Sequence, residues 1–162
     1  MKTVPREQMM ETWDLLCDHD EEQSKTLSKK FLDAQPALGV YLLAWTENMG
    51  KQAEQSPLIE LTIALWQAMT QAAGKTLNVV TPELLDAAEE ANTGMLEKLA
   101  DASEFQMHDS AAGLLTSFNQ REILGFCIEV LMQDDADQPE LAPERIGMEM
   151  LVLKTIIDCL DQ

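Results

Sequence analysis

Residues 58–69, LIELTIALWQAM, decide the fold class of this chain. Glu60 is the one charged residue in the stretch, so a helix formed here is apolar almost all round. A helix of that kind is buried on every side. Val40–Trp45 and Met148–Leu160 have the same character. The sequence therefore predicts central apolar helices that either are wrapped by amphipathic ones or meet another subunit.

The rest of the chain carries the signals of further helices. Gly and Pro are scarce, at 7 and 6 residues, which argues against an all-β fold with many tight turns. We predict an all-α single-domain helical bundle of six to seven helices that spans residues 1–162. The expected helices cover 5–17, 20–34, 36–53, 57–73, 82–102, 108–133 with a break near Asn119, and 143–160.

Several helix ends can be assigned from local sequence. Ser56 and Thr81 each precede a proline, the pattern of an N-cap followed by the first helical residue. Asn119 with Glu122 three residues later resembles a capping box. Gly74 follows an apolar run and is a plausible C-cap. The acidic stretch 133–142 is predicted to be a loop before the C-terminal helix 143–160.

The charge of the chain restricts its partners. Asp and Glu number 29 and Lys and Arg number 11, so the formal net charge is −18. Such a surface repels nucleic-acid phosphates and anionic membranes, and it attracts basic partners. We therefore expect neither direct nucleic-acid binding nor membrane binding.

The cysteines and the N-terminus bear on the compartment. Cys17, Cys127 and Cys159 are odd in number, far apart and flanked by apolar residues, which is typical of reduced core thiols. No apolar segment follows the charged N-terminus as in a signal peptide. The longest charge-free stretch, 61–74, is too short and polar to span a bilayer. We expect a cytoplasmic protein.

No catalytic, cofactor or metal site is predicted. The Gly74-Lys75-Thr76 sequence lacks the earlier glycine and the strand of a phosphate-binding loop. The two histidines, His19 and His108, belong to no metal motif, and the acidic loop lacks the glycine and final glutamate of a calcium loop. Enzymatic activity is therefore not expected.

Two clusters are candidates for partner contacts. Met9, Met10 and Trp13 lie together on the first predicted helix, where Met and Trp side chains form an adaptable apolar groove. Lys25, Lys29 and Lys30 are the sole basic cluster and could contact an anionic ligand or an acidic helix.

These observations predict a protein–protein interaction module, with a basic protein as the favoured partner and a homodimer as the favoured oligomer. Two alternatives stay open. The chain could be an acidic decoy that occupies the basic groove of a nucleic-acid-binding protein, or a helical bundle that binds a small ligand between its helices.

Overall fold

The computed structural model describes residues 1–49, 56–100, 118–133 and 143–162, and within these ranges all regular structure is helical. The prediction of an all-α helical bundle is confirmed. The helices are α1 (Arg6–Cys17), α2 (Glu21–Ala34), α3 (Pro36–Met49), α4 (Leu58–Ala73), α5 (Pro82–Ala100), α6 (Arg121–Leu131) and α7 (Pro143–Leu160).

Two of the three apolar helices form the centre of the bundle. Helix α4 packs against α1, α2 and α7, and α7 also packs against α5 and α6 of the same chain. Buried side chains cover most of the circumference of α4: Leu58, Leu61, Thr62, Ile63, Ala64, Leu65, Ala68 and Met69. One hydrophobic cluster contains buried residues from all seven helices. The C-terminal helix therefore completes the core of its own chain.

Helix α3 departs from the expectation that it is buried on every side. Leu38 and Leu42 point into the core, whereas Val40 and Leu43 are 69% and 59% exposed. The reason is its position in the outer layer, where its main contacts in the described residues are with α2 and α5. The sequence identified α3 as apolar but could not show which side of it is exposed.

Two predicted helix ends are confirmed, and a third is shifted by one residue. The Thr81 hydroxyl accepts from the backbone N–H of Leu84 at the start of α5. At α4, Pro57 and not Ser56 is the N-cap, although the Ser56 hydroxyl accepts from the Leu58 N–H. Gly74 ends α4 with φ of 62°, in the left-handed region that favours glycine.

The predicted capping box of Asn119 and Glu122 is wrong. Gln120 is the N-cap of α6 and makes no side-chain cap. Asn119 donates instead to Asp161, and Glu122 accepts from the backbone N–H of Arg6. Tertiary contacts with the chain ends thus replace the local bonds that the sequence spacing suggested.

The two chain ends and the 119–120 turn form one polar cluster, here called the terminal clasp. It consists of Met1, Asn119, Gln120 and Asp161. Asp161 accepts from the Met1 α-amine at 2.9 Å, from Asn119 at 2.8 Å and from Gln120 at 2.9 Å. Gln120 is fully buried and also accepts from the backbone N–H of Val4. The clasp therefore joins the N-terminal segment to the end of α7.

Parts of four predictions lie outside the described residues. These are the end of the 36–53 helix, the end of the 82–102 helix, the first part of the 108–133 helix with His108, and all but the first residue of the acidic loop 133–142. In the described part of the third segment, residues 118–120 are not helical and α6 begins at Arg121. The helix predicted before Asn119 lies outside the described residues, so the break stays a prediction.

The clasp makes stability depend on pH through Asp161. Desolvation raises its pKa, but hydrogen bonds from Asn119 and Gln120 and the charge of the α-amine outweigh this, so its pKa is lowered. A lowered native pKa means that the unfolded state binds more protons. The stabilisation is therefore present above the unfolded pKa and is lost as the pH falls through the folded one.

We predict that Asp161→Asn lowers the free energy of unfolding at pH 7 by about 1.5–3 kcal/mol, because it removes charge-assisted hydrogen bonds. Urea unfolding at pH 7 and at acid pH measures the effect, which should shrink at acid pH. The exposed Asp33→Asn is the control. An Asp161→Asn protein as stable as wild type at pH 7 contradicts the prediction.

Candidate docking cleft

An open cleft lies between α3 and the chain that leads into α5. Its volume is about 600 Å³. Aliphatic side chains and two prolines make up most of its lining: Pro36, Ala37, Val40, Tyr41, Ala44, Val79, Val80, Thr81, Pro82, Leu85 and Asp86. We call it the α3–α5 cleft.

Helix α3 supplies one wall through residues at helical spacing. Ala37, Val40, Tyr41 and Ala44 lie three or four residues apart and so share one side of the helix. The alanines are short, so a depression forms between the helix and the opposite wall. Val40 stands at its rim with more than two thirds of its surface exposed.

The opposite wall is the segment 78–80, and Gln35 holds it in place. This residue is 1% exposed, and its amide donates to the Asn78 carbonyl and accepts from the Val80 N–H, both at 2.9 Å. The side chain thus satisfies backbone groups that would otherwise be buried without partners. Leu77 and Val80 are buried as anchors, while Val79 between them is 59% exposed.

Tyr41 connects the cleft to α5. Its hydroxyl donates to Glu89 at 3.1 Å. Burial raises the pKa of Tyr41, and the negative charge of Glu89 raises it further. The phenol therefore stays protonated and acts as a donor, with no role as a base near neutral pH.

The apolar lining continues into an acidic surface along α5. Asp86 lines both the cleft and an adjoining depression formed by Asp86, Glu89, Glu90, Thr93, Gly94 and Glu97. We call Asp86, Glu89, Glu90 and Glu97 the acidic row. Residues 31–50 and 76–97 together contain seven acidic residues and no Lys or Arg. These two stretches of the chain therefore carry a net negative charge.

The structure separates the three residues of the predicted apolar groove on α1. Met9 is fully buried in the core and offers no surface to a partner. Met10 is 41% exposed, and Trp13 is partly buried against the core. None of them lines the α3–α5 cleft. A role for Met10 and Trp13 in partner contact stays a prediction.

The predicted basic cluster lies on α2. Lys25, Lys29 and Lys30 are all exposed, and Lys25 forms an ion pair with Glu21 one turn earlier. Exposed pairs of this kind stabilise a protein little. The three lysines also lie outside the cleft lining, and their function as a contact site stays a prediction.

The cysteines are all free thiols, but one lies elsewhere than predicted. Cys127 and Cys159 are buried, as predicted. Cys17 is exposed at the end of α1, which corrects its assignment to the core. Burial and the charges of Asp14 and Asp18 raise the pKa of Cys17, and burial raises that of Cys159 to about 11. Raised pKa values disfavour the thiolate, so these thiols are poor nucleophiles.

Metal-binding geometry does not occur in the described ranges. No group of three or more His, Cys, Asp or Glu side chains there converges as metal ligands would. No helix within those ranges is long and apolar enough to cross a membrane.

Comparison with protein-family models finds no match for this chain, and neither does comparison with curated proteins or with solved structures.

We predict that Gln35→Glu destabilises the protein and disorders the 78–80 wall. A carboxylate can accept from Val80 but repels the Asn78 carbonyl, which leaves a partly buried acceptor unpaired. The free energy of unfolding should fall by about 1–3 kcal/mol, measured by urea unfolding. The exposed Gln71→Ala on α4 is the control. A Gln35→Glu protein with wild-type stability contradicts this role for Gln35.

Proposed function

We propose that this chain is a protein–protein interaction module that binds its partner through the α3–α5 cleft and carries out no catalysis. The observation that carries the proposal is the exposure of Val40 and Val79 in the lining of an apolar cleft. Contiguous exposed apolar surface on a folded protein marks interaction sites.

The apolar side chains of the cleft can contribute binding free energy. Removing apolar area from water contributes roughly 25 cal/mol per Å². The side chains of Val40 and Val79 are more than half exposed, so a partner that covers them gains most of that contribution. The walls are already held by Leu38, Leu42 and Gln35, so little ordering is needed on binding.

The proposed setting is the cytoplasm. The three free thiols support a reducing compartment. The negative charge supports solubility and a basic partner.

A homodimer remains part of the proposal, but this cleft is a poor place for it. In a two-fold dimer the same patch meets itself. The acidic row of one copy would then face that of the other, and like charges across an interface oppose association. Sedimentation velocity over a range of concentrations tests for the dimer.

The acidic row favours one alternative, a decoy that imitates nucleic-acid phosphates. A decoy binds mainly through charge, so its affinity falls steeply with salt and does not change when the apolar wall is altered.

The volume of the cleft favours a second alternative, a small-ligand site, because such sites commonly enclose about 300–1,000 Å³. A small ligand would then be found as extra mass in native mass spectrometry of the purified chain.

We predict that Val40→Asp abolishes specific partner capture without unfolding the protein. Val40 is exposed, so the change should alter stability by no more than about 0.5 kcal/mol. Met132→Asp is the matched control, because Met132 is 64% exposed and lies outside the cleft. Wild type and both variants are used as bait in lysates of the cells that naturally produce the protein, and the captured proteins are quantified by mass spectrometry.

The expected result is a set of proteins captured by wild type and by Met132→Asp and lost with Val40→Asp. Both variants add one negative charge, so their comparison isolates the apolar contact. Equal capture by all three proteins contradicts docking at the cleft.

A further inference from the structure

We infer that the occupant of the α3–α5 cleft is a basic amphipathic helix, which inserts apolar side chains between α3 and Val79 and lays its Lys or Arg residues along the acidic row. The inference rests on the proposed function, since it names the partner of the same cleft. Its apolar and charged parts are supported by different residues and are tested separately.

The apolar part follows from the cleft itself. Val40, Ala44, Val79 and Leu85 offer carbon atoms and almost no free hydrogen-bonding groups. The Tyr41 hydroxyl already donates to Glu89, and the Gln35 amide already bonds both neighbours of Val79. A polar occupant would lose its hydration here without replacement, so the entering groups are aliphatic or aromatic.

The charged part follows from the direction in which the cleft opens. Asp86 belongs to both surfaces, so an occupant that leaves the apolar lining passes directly onto the acidic row. From Asp86 to Glu97 is 11 residues of helix, a rise of about 16 Å. No Lys or Arg of residues 76–97 neutralises these carboxylates. A partner with cations spread over roughly that length is complementary to them.

The length and shape favour a helix over an extended strand. About 16 Å corresponds to three helical turns, over which residues at i, i+4 and i+7 present one face. Strand addition needs a free sheet edge. In the 78–80 wall only Asn78 and Val79 are exposed, and no strand is present in the described residues.

A second copy of this chain fits less well as the occupant. Its one basic cluster, Lys25, Lys29 and Lys30, lies on a helix that also carries Glu21, Glu22 and Asp33, so that helix has no net charge. The overall charge of −18 on each copy opposes their approach.

The test uses fluorescein-labelled peptides about 14 residues long and the intact protein. The first peptide contains Leu and Lys patterned for an amphipathic helix. The second replaces every Lys by Glu. The third has the composition of the first in an order that destroys the helical pattern. Anisotropy at about 150 mM salt, near the physiological value, gives each Kd.

Two cleft variants and two controls separate the contributions. Val40→Asp places a charge in the apolar wall, with Met132→Asp as its control. The Asp86→Asn and Glu90→Gln double variant removes two charges from the acidic row. The exposed Glu11→Gln and Asp14→Asn double variant removes two charges from α1 as its control. Circular dichroism melting establishes that all four variants are folded.

We expect the patterned Leu and Lys peptide to bind at least about tenfold more tightly than either other peptide. Val40→Asp should weaken its binding about tenfold, although the substitution adds a negative charge that attracts lysine. The acidic-row variant should weaken it roughly threefold to tenfold, since exposed ion pairs contribute modestly. Both controls should stay within about twofold of wild type.

The contrary results are distinguishable from one another. If Val40→Asp loses binding but the acidic-row variant binds as tightly as wild type, the basic occupant is overturned and the cleft remains the docking site. Equal binding by all variants means attraction by overall charge and overturns both proposals. Failure of the patterned peptide to bind overturns the basic helix, and the capture comparison with Val40→Asp then decides the proposed function alone. A concentration-dependent dimer of wild type that Val40→Asp abolishes makes a second copy the occupant and overturns this inference.

Discussion

The packing of α4 against α7 is the constraint on which the rest of the structure depends. Both helices are apolar over most of their circumference, so each needs neighbours on several sides. Side chains such as Leu61 and Leu65 on α4 and Leu153 and Ile157 on α7 are completely buried. Burial of each large aliphatic side chain contributes about 1.5–3 kcal/mol relative to exposure. The other helices are arranged so that they cover this pair.

Polar contacts fix the position of the central pair within that apolar surround. Glu149 on α7 is fully buried and pairs with Arg145 at 2.8 Å, and it also accepts from Ser56 at the start of α4. Asn92 on α5 donates to Thr155 and Asp158 on α7. Buried polar groups are costly unless they are satisfied, so such bonds favour one alignment of the helices over others. Helix α3 lies outside this pair, where it packs against α2 and α5.

The sequence predicted the helices well because their signals are local. Proline and Gly74 mark several boundaries, and the apolar spacing within each helix sets its buried face. Prediction from the sequence failed where a tertiary contact outweighs a local one. Asn119 bonds Asp161 in place of a cap, and Cys17 lies on the exposed side of α1 despite its apolar neighbours. The Asn119 contact depends on a residue more than 40 positions away, and the exposure of Cys17 depends on which helix covers α1. Local sequence spacing encodes neither.

The candidate site was harder to predict than the fold for the same reason. Val40 lies in a run that the sequence marks as core, yet its side chain is 69% exposed in the structure. No sequence pattern pointed to Gln35, because its side chain bonds backbone groups that lie 43 and 45 residues away. The prediction of a basic protein partner came from net charge alone. We propose a particular place for it, where an apolar cleft meets the acidic row.

Hydrogen–deuterium exchange with mass spectrometry, on the intact protein with and without the patterned Leu and Lys peptide, tests the central claim most directly. Our account predicts that backbone amides in 36–45 and 79–90 exchange more slowly with the peptide bound, and that those of α1 and α6 do not change. Protection on α1, or weak protection spread evenly over the acidic surface, would contradict docking at the α3–α5 cleft.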